Sequence, residues 1–322
     1  MEESSEQRLR NRFAAFVTRR GGRLETLIET ADIFRARGWT AFAFGGAPRG
    51  VYDNGNQYSP RDVDLVFDDS HFSFFESAFE SYFLRRNSYG GLRLQIKNLA
   101  VDAWPLSATW AFREGYVQNP SFEKLPCTSF LNVDGIIIEL IPAKGKRRRV
   151  YECGFFSGWE SQTLDINLVK NPHPSICVVR TLHISKAFGF RLSPRLAVYM
   201  WDMLGRLTVG ALEMAQLKHY GHIEFEARAL LKHRQLLERH LNTSPLLPIA
   251  LFPPEQMEFH DDPGFDPRKS HSSKVHTRST FYSMKDPDVV FMEDLLEDTF
   301  QLRWAIGAKR RNSKRKGSGR NG

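Results

Sequence analysis

The chain has 322 residues, 41% of them hydrophobic, and a formal charge of +8. That apolar fraction supports a packed core and excludes a disordered or collagen-like chain. No stretch approaches the roughly 20 uninterrupted apolar residues of a membrane span, and none reads as a signal peptide. The charge is local: residues 309–322 carry seven Lys or Arg and no acid, which leaves +1 on the other 308 residues. A basic tail of this kind either binds polyanions, with Lys309, Arg310 and Arg311 at its start, or only solubilises the end of the chain. Cys127, Cys153 and Cys177 are odd in number, widely spaced and free of any C-x-x-C pair. They are expected as buried thiols in a reducing cytoplasm, not as a disulfide framework or a zinc site.

In chain order, residues 1–19 form a charged helical lead-in. Leu24, Leu27, Ile28, Ala31 and Phe34 then recur at helical spacing over 21–37, and Gly38 ends that helix. Thr40–Phe44 reads as a short strand running into Gly45-Gly46. Residues 51–60 are turn-rich, and Val63–Phe67 is a second strand. Phe72–Leu84 is expected as a helix with an aromatic face. Leu92–Ile96 and Leu99–Trp104 read as paired strands around Lys97-Asn98, Ile136–Leu140 as a further strand, and Ala143–Lys146 as a hairpin turn into Arg147–Cys153. Helices are expected over 175–190, 194–206, 208–220 and 222–241. Seven prolines in 243–287 mark a linker, and a last helix covers 288–308 before the tail.

The chemistry concentrates in residues 42–69, FAFGGAPRGVYDNGNQYSPRDVDLVFDD. Asp62 and Asp64 are i and i+2 on a strand, so both point to one face. Two carboxylates held together repel unless a cation joins them, and a strand has no conformational preference for aspartate. A divalent metal with hard oxygen ligands removes both costs, and Mg²⁺ bridges such ligands to phosphates. Gly45-Gly46 lets backbone N–H groups approach a phosphate closely, and Arg49 and Arg61 add positive charge there.

In its helix, strand, Gly45, Gly46, Arg49, Arg61, Asp62 and Asp64, the sequence resembles the polymerase-β-like nucleotidyltransferases. It looks most like their class II tRNA CCA-adding and bacterial poly(A) polymerase branch, with its G-G-x-x-R-D and R/K-D-x-D motifs. Gly50 stands where that family has an acid. The family's third carboxylate lies on a neighbouring antiparallel strand; Asp102 in NLAVDAWPL is preferred for it over Glu139 in GIIIEL. Residues 128–139 resemble the family's R-R-D-F-T-I-N-A segment, with Asn132 on its asparagine. Residues 176–194 resemble the neck helix, with Arg180 on one of its arginines. The likeness spans roughly residues 24–194.

The resemblance implies an α+β fold, in which a nucleotidyltransferase head (20–155) with a small mixed or antiparallel sheet precedes a helical neck (156–242). It implies two Mg²⁺ ions on Asp62, Asp64 and Asp102, a nucleoside triphosphate cradled by Gly45, Gly46 and Arg49, further nucleotide contacts from Arg61, Asn132 and Arg180, and an RNA or other nucleic-acid acceptor. Lys144, Lys146, Arg147, Arg148 and Arg149 either hold acceptor phosphates or keep a turn soluble. Where the family's E-D-x-x-R motif reads CTP and ATP, this chain has Pro174 and Cys177, neither of which can present a bidentate edge to a base. Pro126, Cys127 and Thr128 replace R-R-D. Nucleotidyl transfer to an acceptor such as the 3′ end of an RNA, diverged from CCA addition, is therefore expected; the alternatives are synthesis of short oligonucleotide signals or toxin-like nucleotidylation of protein or tRNA, and, of another class, a non-catalytic RNA-binding module.

Overall fold

The computed structural model describes residues 3–19, 24–87 and 90–253. The expected 288–308 helix, the 309–322 tail with Lys309, Arg310 and Arg311, and most of the 243–287 linker lie outside the described residues. The described residues divide into two compact units, one ending at Lys170 and one beginning at Asn171.

The first unit begins with α1 (Ser5–Thr18), whose N-cap Ser4 accepts a hydrogen bond from the Gln7 N–H. Leu9, Phe13, Phe16 and Val17 form its buried stripe. Next come α2 (Leu24–Arg37), β1 (Ala41–Phe44), α3 (Gly46–Asn54), β2 (Asp62–Phe67) and α4 (Phe72–Ala78). Then follow β3 (Phe83–Arg86), β4 (Leu92–Ile96), β5 (Leu99–Pro105), α5 (Trp110–Arg113), β6 (Ile136–Glu139), β7 (Val150–Glu152) and α6 (Phe155–Glu160). The seven strands make one mixed sheet in the order β3-β4-β5-β2-β1-β6-β7. Only β2 and β5 run parallel; every other neighbouring pair is antiparallel.

Alternation along the strands gives the sheet two unlike faces. Ala41, Ala43, Val63, Leu65, Phe67, Leu94, Val101 and Ile138 point to one face and share a core with Phe13 of α1, Phe34 of α2, Val51 of α3 and Phe75 of α4. Burying each of the larger side chains stabilises the unit by about 1.5–3 kcal/mol. The other face is apolar over only half its width, where Phe42, Val66 and Ile137 pack against Leu106, Phe112, Phe122 and Leu125. The other half carries the charged residues described below.

Three expectations need correction. The helix expected over Phe72–Leu84 stops at Ala78, and Phe83–Arg86 leaves it to pair with β4 as an edge strand. The strand bearing Asp102 runs parallel to β2, not antiparallel, because β3 and β4 form an antiparallel edge first and β5 then returns alongside β2. Cys127 and Cys153 form a disulfide with a Cα–Cα separation of 5.3 Å, while Cys177 stays outside it as a buried thiol. The pairing joins the turn at 125–128 to the end of β7 across 26 residues, a juxtaposition that spacing alone does not reveal. It removes the cysteine argument for a reducing compartment. Among the described residues, no helix is long and apolar enough to cross a membrane.

The second unit packs α7 (Pro174–Phe188), α8 (Pro194–Arg206), α9 (Val209–Tyr220) and α10 (Ala227–Thr243) around Leu182, Leu196, Tyr199, Met200, Leu212 and Leu237. Gly189 and Gly221 adopt φ values of +67° and +79° at the ends of α7 and α9, as αL caps do. The helix expected over 222–241, α10, starts five residues later than expected. The buried Gln216 holds the preceding segment by accepting from the N–H groups of Glu224 and Phe225 and donating to the Phe225 carbonyl.

Gly50 has a packing reason to lack a side chain: a Cβ there would run into the ring of Tyr58, whose hydroxyl donates to the Gly46 carbonyl at 3.3 Å. Gly50→Ala should therefore lower stability by about 1–3 kcal/mol despite the better helix propensity of alanine. Adding Tyr58→Ala should leave little further cost of the Gly50 change in chemical denaturation. A Gly50→Ala variant as stable as the parent would contradict this packing.

Candidate active site

The pairing registers gather the charged residues. Asp64 lies directly opposite Asp102, Asp102 opposite Arg93, and Arg93 opposite Arg85. Directly paired residues project to the same face, and Asp62 joins them two residues before Asp64. Three carboxylates and two arginines thus share the half of the sheet that the second apolar cluster leaves uncovered. Glu139, the rival third carboxylate, registers opposite Phe42 on β6, two strand spacings from β2 or about 10 Å away. It is buried and committed to Arg149, which donates to it through Nη2 at 2.7 Å and through its backbone N–H at 3.0 Å.

Arg93, with a side chain 14% exposed, makes an ion pair with the Asp102 carboxylate and lies 3.9 Å from Oδ2 of Asp62. Arg61, 65% exposed, reaches the same Asp62 oxygen at 3.2 Å. Burial pushes the Asp102 carboxyl above its ordinary pKa; the Arg93 guanidinium pulls it back and the Asp62 charge adds to the rise.

Phe44, the last residue of β1, pairs with Asp64, so Gly45-Gly46 and the start of α3 lie at the carboxylate end of the sheet. Gly45 has φ +60°, a conformation that favours glycine. The Arg49 guanidinium is part-buried and ion-paired with Asp134. Asn132 is 6% exposed, and its side chain is used structurally: Nδ2 donates to the Thr163 carbonyl at 3.0 Å, while Oδ1 accepts from the N–H groups of Val133 and Asp165. These bonds hold residues 163–165 against the turn at 132–134 within the first unit. In the second unit, Pro174 opens α7, Cys177 is buried beside Tyr199, and Arg180 lies half-buried farther along the helix.

The basic run divides into two groups. Lys144, Lys146 and Arg147 are exposed around the turn. Arg148 turns inward: it donates to the carbonyls of Glu139 and Leu140 and stacks over Phe13 at 5.4 Å. Burial brings its pKa down to about 10. Arg149 joins Glu139 and lies over the Phe42 ring at 5.1 Å. A cavity of about 550 Å³, lined in part by Glu25, Glu29, Asp32, Arg35 and Lys97, carries none of the three aspartates.

The donor set suits a hard divalent cation: three carboxylates on one face of adjoining strands, with no sulfur or imidazole among them. As the side chains stand, no three acid, His or Cys groups among the described residues converge closely enough to hold an ion, and Arg93 takes the oxygen of Asp102. The residues fit a divalent cation by kind and by strand position, with Arg93 in the place of positive charge.

No family model matches the sequence, and no curated protein matches it. Solved structures do. A CCA-adding enzyme from Thermotoga maritima, complexed with tRNA, aligns with a TM-score of 0.52 at 14% identity over 71% of this chain and 54% of its own. A CCA-adding enzyme solved with CTP aligns with a TM-score of 0.51 at 14% identity, over 75% of this chain and 56% of its own. The chain thus shares the fold of these two CCA-adding enzymes and spans about half the length of each.

The two groups of basic residues should separate by mutation. Arg148→Ala leaves two backbone carbonyls without their donor and should lower stability by about 1–3 kcal/mol. Lys144→Ala with Lys146→Ala should leave the melting temperature unchanged, because both side chains are exposed. A stability loss from the lysine changes equal to that from Arg148→Ala, or none from Arg148→Ala, would contradict the division.

Proposed function

We propose that the chain is a metal-dependent nucleotidyltransferase that moves a nucleoside monophosphate from a nucleoside triphosphate to an acceptor hydroxyl and releases pyrophosphate. The acceptor is the 3′ end of an RNA such as a tRNA. The observation that carries this reading is the alignment of Asp64 with Asp102, with Asp62 on the same face and the Gly45-Gly46 turn at the same end of the sheet, in a fold shared with CCA-adding enzymes.

Asp62 and Asp64 would hold both Mg²⁺ ions, and Asp102 would complete the set at the ion nearer the attacking hydroxyl. When bound, the ions supply charge neutralisation for the triphosphate and a lowered pKa for that hydroxyl. The backbone N–H groups that open α3 orient the phosphates, and Arg61, at the rim, adds a cation beside them. The acceptor oxygen bonds to the α-phosphorus, the bond to the bridging oxygen of the β-phosphate breaks, and the hydroxyl proton leaves to solvent. Arg49 acts from behind the turn by tying α3 to Asp134, and Asn132 braces the loop at 163–165.

Incubation with each labelled nucleoside triphosphate and deoxynucleoside triphosphate, with and without tRNA, should show Mg²⁺-dependent pyrophosphate release. Asp64→Asn should reduce transfer about a thousandfold, several kcal/mol of transition-state stabilisation, while metal-free stability holds or rises because repulsion is relieved. Activity near that of the parent would contradict the mechanism.

Base choice gives an independent test. With Pro174 on the first turn of α7 and Cys177 buried, no bidentate base reader stands at those positions. Transfer to a truncated tRNA should show a single fixed or broad base preference. Ordered addition of C, C and A would overturn this assignment.

A further inference from the structure

Metal-dependent transfer does not call for an arginine among the carboxylates, yet Arg93 stands there. Its place is set by the backbone: β4 pairs with β5 so that Arg93 faces Asp102, and alternation on β4 sends Leu92 and Leu94 to the main core and Arg93 to the other face. The side chain is largely buried, ion-paired with Asp102 and within 3.9 Å of Asp62. Arg85 on the edge strand lies opposite it, so a second positive charge backs the first. Two arginines directly opposed across strands repel, a cost offset here by the aspartates beyond them.

Guanidinium remains charged at any working pH. A divalent cation on Asp102 and Asp62 would share their oxygens with that fixed charge, and like charges at hydrogen-bonding distance in a part-buried site repel strongly. We infer that Arg93 is a resident counter-cation that keeps divalent metal off Asp102 and Asp62 until its guanidinium leaves them. The residue is therefore a positioning residue with two effects of opposite sign. It stabilises the metal-free sheet by neutralising the clustered aspartates, and it weakens metal binding by competing for the same oxygens. The inference rests on the metal-site reading of these aspartates, but not on nucleotide transfer.

The test uses the full chain and Mn²⁺ alone, without nucleotide. Binding is followed by the loss of the free-Mn²⁺ paramagnetic resonance signal, and melting is measured with and without the ion. Arg93→Met keeps the length of the side chain and removes its charge. It should bind Mn²⁺ about tenfold more tightly or better, melt at a lower temperature without metal, and gain more from Mn²⁺ than the parent. Arg93→Lys keeps a point charge without the planar fork and should fall between the two; it carries the test if Arg93→Met does not fold. Placing Asp102→Asn in both backgrounds should shrink the difference between them to what competition at Asp62 supplies. Equal or weaker Mn²⁺ affinity in Arg93→Met, no Mn²⁺ binding by any form, or a difference undiminished by Asp102→Asn would each overturn the inference. Absence of pyrophosphate release alongside intact Mn²⁺ competition would count against transfer and leave this inference standing.

Discussion

The parallel pairing of β2 with β5 is the constraint on which the candidate site depends. It sets Asp64 directly against Asp102 and places Asp62 on the same face. Three carboxylates arranged in this way oppose folding through desolvation and mutual repulsion, which is why the Asp102 carboxyl titrates above its ordinary range. The remainder of the first unit provides the rigid support. A continuous core on the opposite face fixes the strands in register, because a slip of one residue would move every aspartate into that core and every core residue out of it.

Positive charge around the site is distributed by depth. Arg93 is placed by the strand ladder and paired within the cluster, whereas Arg61 lies at the exposed rim. Arg49 points away from solvent to Asp134, and Arg148 to backbone carbonyls. Deep arginines of this kind act on position: they anchor α3 and the turn after β6, and their removal is felt first as lost stability. Exposed cations such as Lys144 and Lys146 are the ones with charge available to a polyanion.

Much of this was legible in the sequence because it lies in short-range pattern. The period-two alternation of β2 put Asp62 and Asp64 on one face, and the boundaries of α8 followed from Ser193-Pro194, with the Ser193 side chain capping the helix. What was not legible depends on distant residues. The helix α3 contains two glycines and a proline and is held by tertiary burial of Ala47, Val51 and Tyr52, not by propensity. Phe83–Arg86 continues an aromatic stretch, and only the partner strand β4 determines that it is extended. The Cys127–Cys153 bond and the parallel direction of β5 are likewise consequences of topology. Arg93 carried no sequence signal at all: in LRLQI it reads as an ordinary outward-facing strand residue, and only the register against Asp102 shows where its charge goes.

The central claim is that this face of the sheet is a hard-cation site built from Asp62, Asp64 and Asp102. It is tested most directly by a crystal structure of the full chain with Mn²⁺ and a non-hydrolysable nucleoside triphosphate, using anomalous scattering to locate the ion. The account predicts an anomalous peak at about 2.0–2.2 Å from carboxylate oxygens of these aspartates. It also predicts that the Arg93 guanidinium has withdrawn from Asp102. A nucleotide bound elsewhere, with Arg93 still paired to Asp102 and no peak among the three carboxylates, would contradict it.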